Sequence, residues 1–563
     1  MRNNTSWVVV VAAALAALAA FTWKSQDDLI PVSTSEARLV SAMPQGDVEV
    51  YDTFEISFEI HDIPGNPFGF FLPVRFSQGD HSYSVEAFHD GETTWRARFM
   101  TATEGEWTFD ATLNGDSKRG SFRSWPNTVP LRHGHVRVDR NNPRYLAHDD
   151  GTPHYWFGAH WMRPDYYGPP AKGGSDSALH LSDEQIVRQL DLLKGFGHNG
   201  ILLKMALFPL EDDRVSWDLE WIRRAEWVVR RAGERGIYCH INMFDTWSRK
   251  RGAPFVRETD GRKQVFNVWA DGDAAAKENY LRTLVARFSG FYNVYWELGN
   301  EMEHRPNDGA AFVLRANRHY VPWIRRYDPY GLPIGLSEGI WEMTDVEIGL
   351  LHQANEFPRP EFDRPVIMNE LVRGLDPAVE GRLWMDSVIR DPKARLSYRR
   401  TFWRAFTHGG CGSSQATWLD IATPPNDAVL AVMGDQMRLR RMLGSLPVSI
   451  NEMDPDSDTV IAGPAEGSLR SKKGDAYIGY FLGKTGPGRT SLGLPAGEYL
   501  ASWHDPAVDA SPLVLPLSTD GSPVVLDHPA FDEDIVLRIV RSDKITTPSA
   551  PEGQIDVPAA QSL

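Results

Sequence analysis

Between residues 48 and 122 apolar and polar positions alternate, as in Phe54-Glu55-Ile56-Ser57-Phe58-Glu59-Ile60 and Trp95-Arg96-Ala97-Arg98-Phe99. A period of two places successive side chains on opposite faces of half-buried strands. Pro64-Gly65-Asn66-Pro67 and Glu104-Gly105-Glu106 separate the runs as turns. Residues 43–125 therefore predict an immunoglobulin-like β-sandwich, and Trp125-Pro126 opens a linker. Over residues 136–445 the rhythm changes, and apolar strand-like runs alternate with amphipathic helical stretches such as 183–195 and 219–235. Eight candidate strands can be counted, at 154–159, 200–204, 237–243, 294–298, 333–336, 348–352, 365–368 and 412–417. That alternation and number predict an α/β fold, a (β/α)8 TIM barrel. An open doubly wound sheet would carry a phosphate-binding turn after its first strand, and Gly158-Ala159-His160-Trp161 is not one. Residues 448–541 return to short strands between Gly/Pro turns and predict a small antiparallel β-domain. Residues 542–563 are rich in Pro, Ala, Ser and acidic residues without apolar pattern, and are expected to be a disordered tail.

The start of the chain adds a destination. Arg2 precedes an apolar run over residues 7–21, with Trp23, Lys24, Asp27 and Asp28 beyond it. Residues 1–25 read as an export signal, so a periplasmic or extracellular protein is expected. The run falls short of the ~20 residues of a membrane span, while the cleavage candidate Ala17-Leu18-Ala19 is followed by bulky Phe21 and Trp23. Cleaved signal peptide and retained inner-membrane tether both stay open. Cys239 and Cys411 are the two cysteines, each inside an apolar segment, and read as small buried residues rather than a disulfide or metal pair. With 59 basic against 75 acidic residues and no long Lys/Arg run, a surface that tracks nucleic acid is excluded. No zinc or nucleotide motif appears, so no metal or other cofactor is expected. Oligomeric state is not legible.

A barrel of this kind carries its chemistry at the C-terminal ends of its strands. Two candidate strands end on acids. Val294-Tyr295-Trp296-Glu297-Leu298-Gly299-Asn300-Glu301 runs into an Asn-Glu pair, and Pro365-Val366-Ile367-Met368-Asn369-Glu370 finishes on a Glu. Cleaving a glycosidic bond with retention needs two carboxyl groups about 5–5.5 Å apart, one to protonate the leaving oxygen and one to attack the anomeric carbon. Strand-end acids also cap helices or pair with nearby bases, and a single Glu would be read that way. Two at these positions, one preceded by Asn, favour catalysis.

Glu297-Leu298-Gly299-Asn300-Glu301 resembles the Glu-x-x-Asn-Glu strand-four signature of clan A glycoside hydrolases, and Glu370 falls where their strand-seven nucleophile would. Closer look-alikes are bacterial apiosidase-like barrels, which combine an N-terminal domain of unknown function with a C-terminal domain named for collagen binding. Phe196-Gly197-His198-Asn199 resembles their strand-two lead-in, and Tyr327-Asp328-Pro329-Tyr330-Gly331-Leu332-Pro333 their approach to strand five. Glu104-Gly105-Glu106-Trp107 and Leu494-Pro495-Ala496-Gly497-Glu498-Tyr499 are similar to the flanking domains. The resemblance implies Glu301 as acid/base, Glu370 as nucleophile and Asn300 as the hydrogen-bond partner of the sugar 2-hydroxyl. A neutral amide there avoids the repulsion that a third carboxylate would add. One departure stands out: many clan members place an Arg where this chain has Leu202. Lys204, two residues on and so on the same strand face, is the candidate replacement for keeping Glu370 ionised. A strand-end Lys reaching solvent is the plain alternative.

Further substrate-binding candidates are His160 and Trp161 at the first strand, His240 and Asn242 with Asp245 after the third, His352 at the sixth and Trp418 after the eighth. Aromatic rings offer faces to sugar C–H groups, although Trp at a barrel end also serves as core filler and a lone His is often structural. Glu338 and Glu303 rival the two acids, and Glu297 reads as structural support. The expected function is a retaining glycoside hydrolase acting on a poly- or oligosaccharide. The alternative from another class is a carbohydrate- or matrix-binding protein on a barrel that has lost catalysis.

Overall fold

A computed structural model of the chain describes residues 35–160, 182–205, 215–245, 256–259, 262–265, 274–300, 316–337, 345–351, 358, 363–369, 392–415, 427–464 and 466–544. Its centre is a closed barrel of eight parallel strands: β1 (Trp156–His160), β2 (Gly200–Lys204), β3 (Tyr238–Asp245), β4 (Val294–Asn300), β5 (Ile334–Ser337), β6 (Ile348–Leu351), β7 (Val366–Met368) and β8 (Gly412–Gln415). Every candidate strand is present. Described helices between them are α1 (Asp183–Gly195), α2 (Leu219–Gly233), α3 (Ala274–Phe288), α4 (Val321–Tyr327), α5 (Pro392–Thr407) and, after β8, α6 (Asp427–Gly444). Local sequence explains their limits. Ser182 and Gln185 form a capping box at the start of α1, Ile186, Leu190 and Leu193 recur on its buried face, and Gly197 leaves it at φ +77°. Asp218 caps α2 by accepting from the Glu220 and Trp221 N–H groups.

Strand alternation divides the apolar residues into two sets. Phe157, Ile201, Ile241, Trp296, Ile334 and Met368 join the large core beneath the helices. Trp156, Tyr238, Tyr295, Leu350 and Ile367 form a separate cluster inside the barrel, which Val136, Tyr145 and Leu146 complete from below. Val136 and Leu146 belong to, and Tyr145 directly precedes the second strand of, a small antiparallel sheet of Val136–Val138, Leu146–His148 and Pro153–His154 that the alternating pattern did not announce. It corrects the first strand: His154 pairs with Leu146 in this floor, and the barrel strand proper begins at Trp156. With the N-terminal end closed, the opposite end is left for a site.

The floor concentrates buried imidazoles. His135, His148 and His154 are almost without solvent, and His198 is equally buried beside α6. Burial holds them neutral: His135 and His198 are pushed down to about 4 and His148 to about 3, with Arg137, Arg440 and His133 respectively adding repulsion. In the unfolded chain these groups bind protons near pH ~6.5, so stability is complete above that value and declines as pH falls toward the folded values. Thermal unfolding between pH 7.5 and 4.5 is expected to show a midpoint falling steadily below pH ~6.5. A flat profile over that range would contradict neutral burial.

The N-terminal domain is a β-sandwich. Its strands are hydrogen-bonded in the order Arg38–Pro44, Thr53–His61, Thr94–Met100, His81–His89, Leu72–Gln78, Gly105–Leu113, Asp116–Trp125 and Val48–Glu49. His81–His89 meets Thr94–Met100 only at Phe88–Arg96 and His89–Trp95, and there the sheet folds over to enclose Phe54, Phe76, Phe99 and Phe122. The C-terminal domain packs a six-stranded against a three-stranded antiparallel sheet around Tyr477, Leu537 and Trp503. Its other face is continuous with the barrel core through Ile478, Tyr480 and Val536. Arg470, fully buried, donates to the carbonyls of Met453 (2.8 Å), Ile450 (2.9 Å), Gly410 (3.2 Å) and Phe406 (3.3 Å), and so ties this domain to the segment entering β8. Arg399 of α5 meets both carboxylate oxygens of Asp534 at 2.8 Å, where Tyr480 also donates. Both cysteines are free and buried, and burial pushes the Cys411 thiol up to about 12.

Residues 1–34 and 545–563 lie outside the described residues, and with them the expected export segment and the expected tail apart from Ser542–Lys544, which forms a 3-10 turn rather than disordered chain. Among the described residues no helix is long and apolar enough to cross a membrane.

Candidate active site

Register aligns the strand ends in rows. Gly158, Gly200 and Tyr238 share one row; His160, Leu202, His240 and Tyr295 the next; Lys204, Asn242, Glu297 and Gly335 the row above. Trp156 lies across the lowest row. A Cβ at Gly158 or Gly200 would collide with its indole, so glycine at both positions is what lets a ring of that size lie flat inside the barrel. The indole stacks on the His240 imidazole at 4.2 Å and 17°, and Tyr295 meets the same imidazole edge-on at 3.9 Å.

Above this aromatic floor sits a polar pair. Asn242 Nδ2 donates to Glu297 Oε1 at 3.1 Å, and His240 Nδ1 lies 3.8 Å from Glu297 Oε2. All three residues are essentially without solvent exposure. Burial, reinforced by the Glu297 charge, drives the Tyr295 phenol far above its ordinary range. His240 and Asn242 thus lie inside β3, which runs on to take in Asp245, and their described contacts are to Glu297 and the aromatic floor. Glu297 has the deep, supported position expected of it.

The strand ends are fastened individually. Ser337 Oγ donates to the Gly299 carbonyl at 3.0 Å, joining the end of β4 to β5 one residue before Asn300. The Asn369 N–H donates to the Leu351 carbonyl at 2.9 Å, fixing the residue before Glu370 against β6, and the Asn369 side chain is buried. Tyr280 of α3 donates to the Met243 carbonyl at 2.7 Å. Asn199, from the strand-two lead-in, accepts from the Phe157 N–H at 2.8 Å and donates to the Tyr155 carbonyl at 2.9 Å, clamping β1 to β2. Asp328 accepts from Trp296 Nε1 at 2.9 Å and from the Tyr330 and Leu332 N–H groups, so the Asp-Pro-Tyr segment braces the outer face of β4.

Of the residues expected at the site, His160, Lys204 and Asn300 have described backbone at the ends of β1, β2 and β4. Glu301, Glu370, Trp161, His352 and Trp418, with Glu303 and Glu338, lie outside the described residues. Sequence reasoning misses Trp156 and Asn369. The signal for Trp156 is the glycine pair Gly158 and Gly200, for which strand propensity gives no reason. Among the described residues no three His, Cys, Asp or Glu side chains converge as a metal site requires.

Residues 181–348 match the family model described as Cellulase (glycosyl hydrolase family 5). The match runs from the cap of α1 to the first residue of β6, so it includes Asn300 and Glu301 and ends before Glu370. Residues 47–114 match a model described as Domain of unknown function (DUF5060). Comparison with curated proteins found no relative that matches the chain. Among solved structures, a candidate glycoside hydrolase from Bacteroides vulgatus superposes with a TM-score of 0.64 at 18% identity, over 88% of this chain and 100% of that one. A glycoside hydrolase family 5 structure from the same organism has a TM-score of 0.54 at 14% identity, over 74% of this chain and 95% of its own. At such identities the likeness is one of fold. With the glycoside hydrolase match lying over its barrel, the chain is a glycosidase. The matches do not extend to the apiosidase-like subtype or to a collagen-binding domain.

Proposed function

We propose that the chain is an exported retaining glycoside hydrolase that cleaves a poly- or oligosaccharide by double displacement, with Glu301 as acid/base and Glu370 as nucleophile. The observation that carries the reading is topological: in one closed barrel, β4 ends at Asn300 and runs directly into Glu301, while β7 and the pinned Asn369 run directly into Glu370. In the first step the Glu370 carboxylate attacks the anomeric carbon while Glu301 gives its proton to the departing glycosidic oxygen. An ester to the sugar forms and the alcohol leaves. In the second step Glu301, now a carboxylate, takes a proton from water, which displaces Glu370 from the opposite face and restores the original anomeric configuration. Asn300 would hold the 2-hydroxyl, a bond that strengthens as positive charge develops on the ring. Lys204, at the end of β2, would supply the positive charge that favours an ionised Glu370. His160, Trp161, His352 and Trp418 would line the sugar subsites from the ends of three strands. The apolar segment at residues 7–21 would direct export.

The matching family's name makes β-linked glucans the first substrates to try. The test is a panel of polysaccharides and aryl glycosides followed, for any substrate turned over, by proton NMR of the first-formed anomer. A product keeping the substrate's anomeric configuration supports the reading. An inverted anomer would remove Glu370 as nucleophile and imply carboxyls about 6.5–9.5 Å apart with a water between them.

A further inference from the structure

Helices of such a barrel run back against its strands, so the residues just before α2 lie at the strand-end face, where a site of this fold is built. Two turns of the N-terminal sandwich meet the chain there. In the first, Asn66 caps the 3-10 turn Pro67–Gly69 by accepting from the Phe68 N–H at 3.0 Å, and its Nδ2 donates to Ser216 Oγ at 2.8 Å. Phe68 packs against the barrel core and stands edge-on to His89 at 4.7 Å. In the second, the Asp90 carboxylate accepts from Arg223 Nε at 3.1 Å and the Asp90 carbonyl accepts from the same guanidinium. Gly91, at φ +97°, follows so closely that an added Cβ would stand 3.2 Å from both Arg223 and Leu219. The hold is passed inward. Trp217, buried beside Ser216, lies parallel to the ring of Tyr280 on α3, with centroids 5.3 Å apart and 6° between the planes. Tyr280 donates to the Met243 carbonyl of β3, and two residues further on Asp245 pairs with Asn300 at the end of β4.

We propose that the sandwich is a working part of the barrel's substrate-binding face, and that Asn66 and Phe68 are positioning residues which brace the entry to α2 and, through the Trp217–Tyr280 stack, the end of β3. The inference rests on the barrel's being a glycosidase with its site at the strand ends, and not on the roles given to the two acids. Residues 205–218 join β2 to α2. Fixing their far end removes freedom that a bound sugar would otherwise have to remove, so the brace acts on binding more than on bond cleavage. Adhesion between the two domains is supplied separately, toward the barrel floor. There Thr53 Oγ1 donates to the Gly290 carbonyl at 2.8 Å, and Arg98 donates to the Arg287 carbonyl at 2.8 Å.

The test compares Asn66→Ala, Asn66→Asp and Phe68→Ala with the parent in the full chain. Without any substrate, hydrogen exchange over residues 215–223 and 241–245 should quicken in Asn66→Ala while the strands of the sandwich exchange as before. On the polysaccharide of the panel that is turned over fastest, KM should rise by about fivefold, the population shift that one hydrogen bond can hold, with kcat nearly unchanged. The thermal midpoint should fall by no more than about two degrees in a chain of this size. Phe68→Ala should give the same pattern with a larger rise in KM. Asn66→Asp keeps the cap on Phe68 and offers the Ser216 hydroxyl an acceptor in place of a donor, so it should restore both exchange and KM. A contact that serves adhesion alone would lower the midpoint and leave KM where it was. Unchanged exchange over residues 215–223 in Asn66→Ala overturns the brace whatever the substrate. Faster exchange with KM unmoved, or a fall in kcat alone, overturns its part in binding. An active Glu370→Gln variant would remove the proposed nucleophile and leave this inference standing.

Discussion

Glu370→Gln is expected to lower turnover by on the order of 10⁵-fold or more on any substrate of this protein, the scale on which loss of a covalent nucleophile acts. Glutamine keeps the size and planar shape of the side chain and loses only the charge that attacks the anomeric carbon. Binding should survive, so the variant ought to bind the substrate that it no longer cleaves. Glu301→Gln should behave differently. On natural linkages it removes the proton that the leaving oxygen needs, and rate falls by about 10²–10⁴-fold, the range of general acid catalysis. On aryl glycosides with strongly acidic phenols the first step needs no proton, so the ester to Glu370 should accumulate and a burst of phenol should precede a slow steady state. Steady-state kinetics on a matched pair of leaving groups, with intact-mass detection of the glycosyl ester, checks both. Equal losses for the two variants on both leaving groups would reverse or remove the assignment of roles.

How much of this site is legible in the amino-acid sequence depends on distance along the chain. Strand ends are local facts: an apolar run of four or five residues ending on a polar one marks them, which is why all eight barrel strands can be counted and why Glu301 and Glu370 stand out as candidates. Which polar residues inside a run face each other is a matter of register between strands, and no single run contains it. His240 therefore looks like a substrate ligand from its polarity, whereas the register sets it beside Tyr295 and the stacking of Trp156 closes it in. The barrel floor is hidden for the same reason, since His154 could continue the strand or turn away to pair with Leu146. The hairpin Val256–Thr259 with Arg262–Val265 escapes the pattern although Asp260-Gly261 is a strong turn signal, because its strands are too polar to register as strands. Motifs that mark a family turn out to be fasteners. Tyr330 of the Asp-Pro-Tyr segment accepts a hydrogen bond from the Met100 N–H at 2.7 Å and stacks on Phe99, joining barrel and sandwich.

That junction holds the residue whose loss should cost most stability. Glu226→Ala, on α2, is expected to destabilise the protein by about 3–5 kcal/mol, the scale for breaking a buried ion pair from one side. The carboxylate of Glu226 lies between two buried guanidiniums, Arg98 of the sandwich at 2.8 Å and Arg287 of α3 at 2.6 Å. Arg98 also reaches Glu55 at 2.8 Å and the Arg287 carbonyl at 2.8 Å, while Arg287 reaches Asp90 at 2.7 Å. Arg96, Arg223 and Arg230 complete the cluster, giving five guanidiniums against the three carboxylates Glu55, Asp90 and Glu226. Removing one carboxylate raises an already positive centre and leaves two cations facing each other away from water. Burial alone would push the Glu226 carboxyl up, yet the charges of Arg287 and Arg98 outweigh it and hold the group below its ordinary value. Asp90 is drawn down to about 2 in the same way, against its own burial, chiefly by Arg287. A carboxyl whose folded value is depressed stabilises at pH above its unfolded value and loses that contribution as pH falls through the folded one. The destabilisation by Glu226→Ala should therefore be complete at pH 7 and shrink in strong acid. Because the cluster joins two domains, early loss should appear as proteolytic cutting near the linker at residues 126–135 before the barrel unfolds. Glu226→Leu combined with Arg287→Met replaces charges by apolar groups of similar volume and should recover part of the lost midpoint. A single Glu226→Ala variant that melts within a degree of the parent would mean that the remaining carboxylates carry the junction without it.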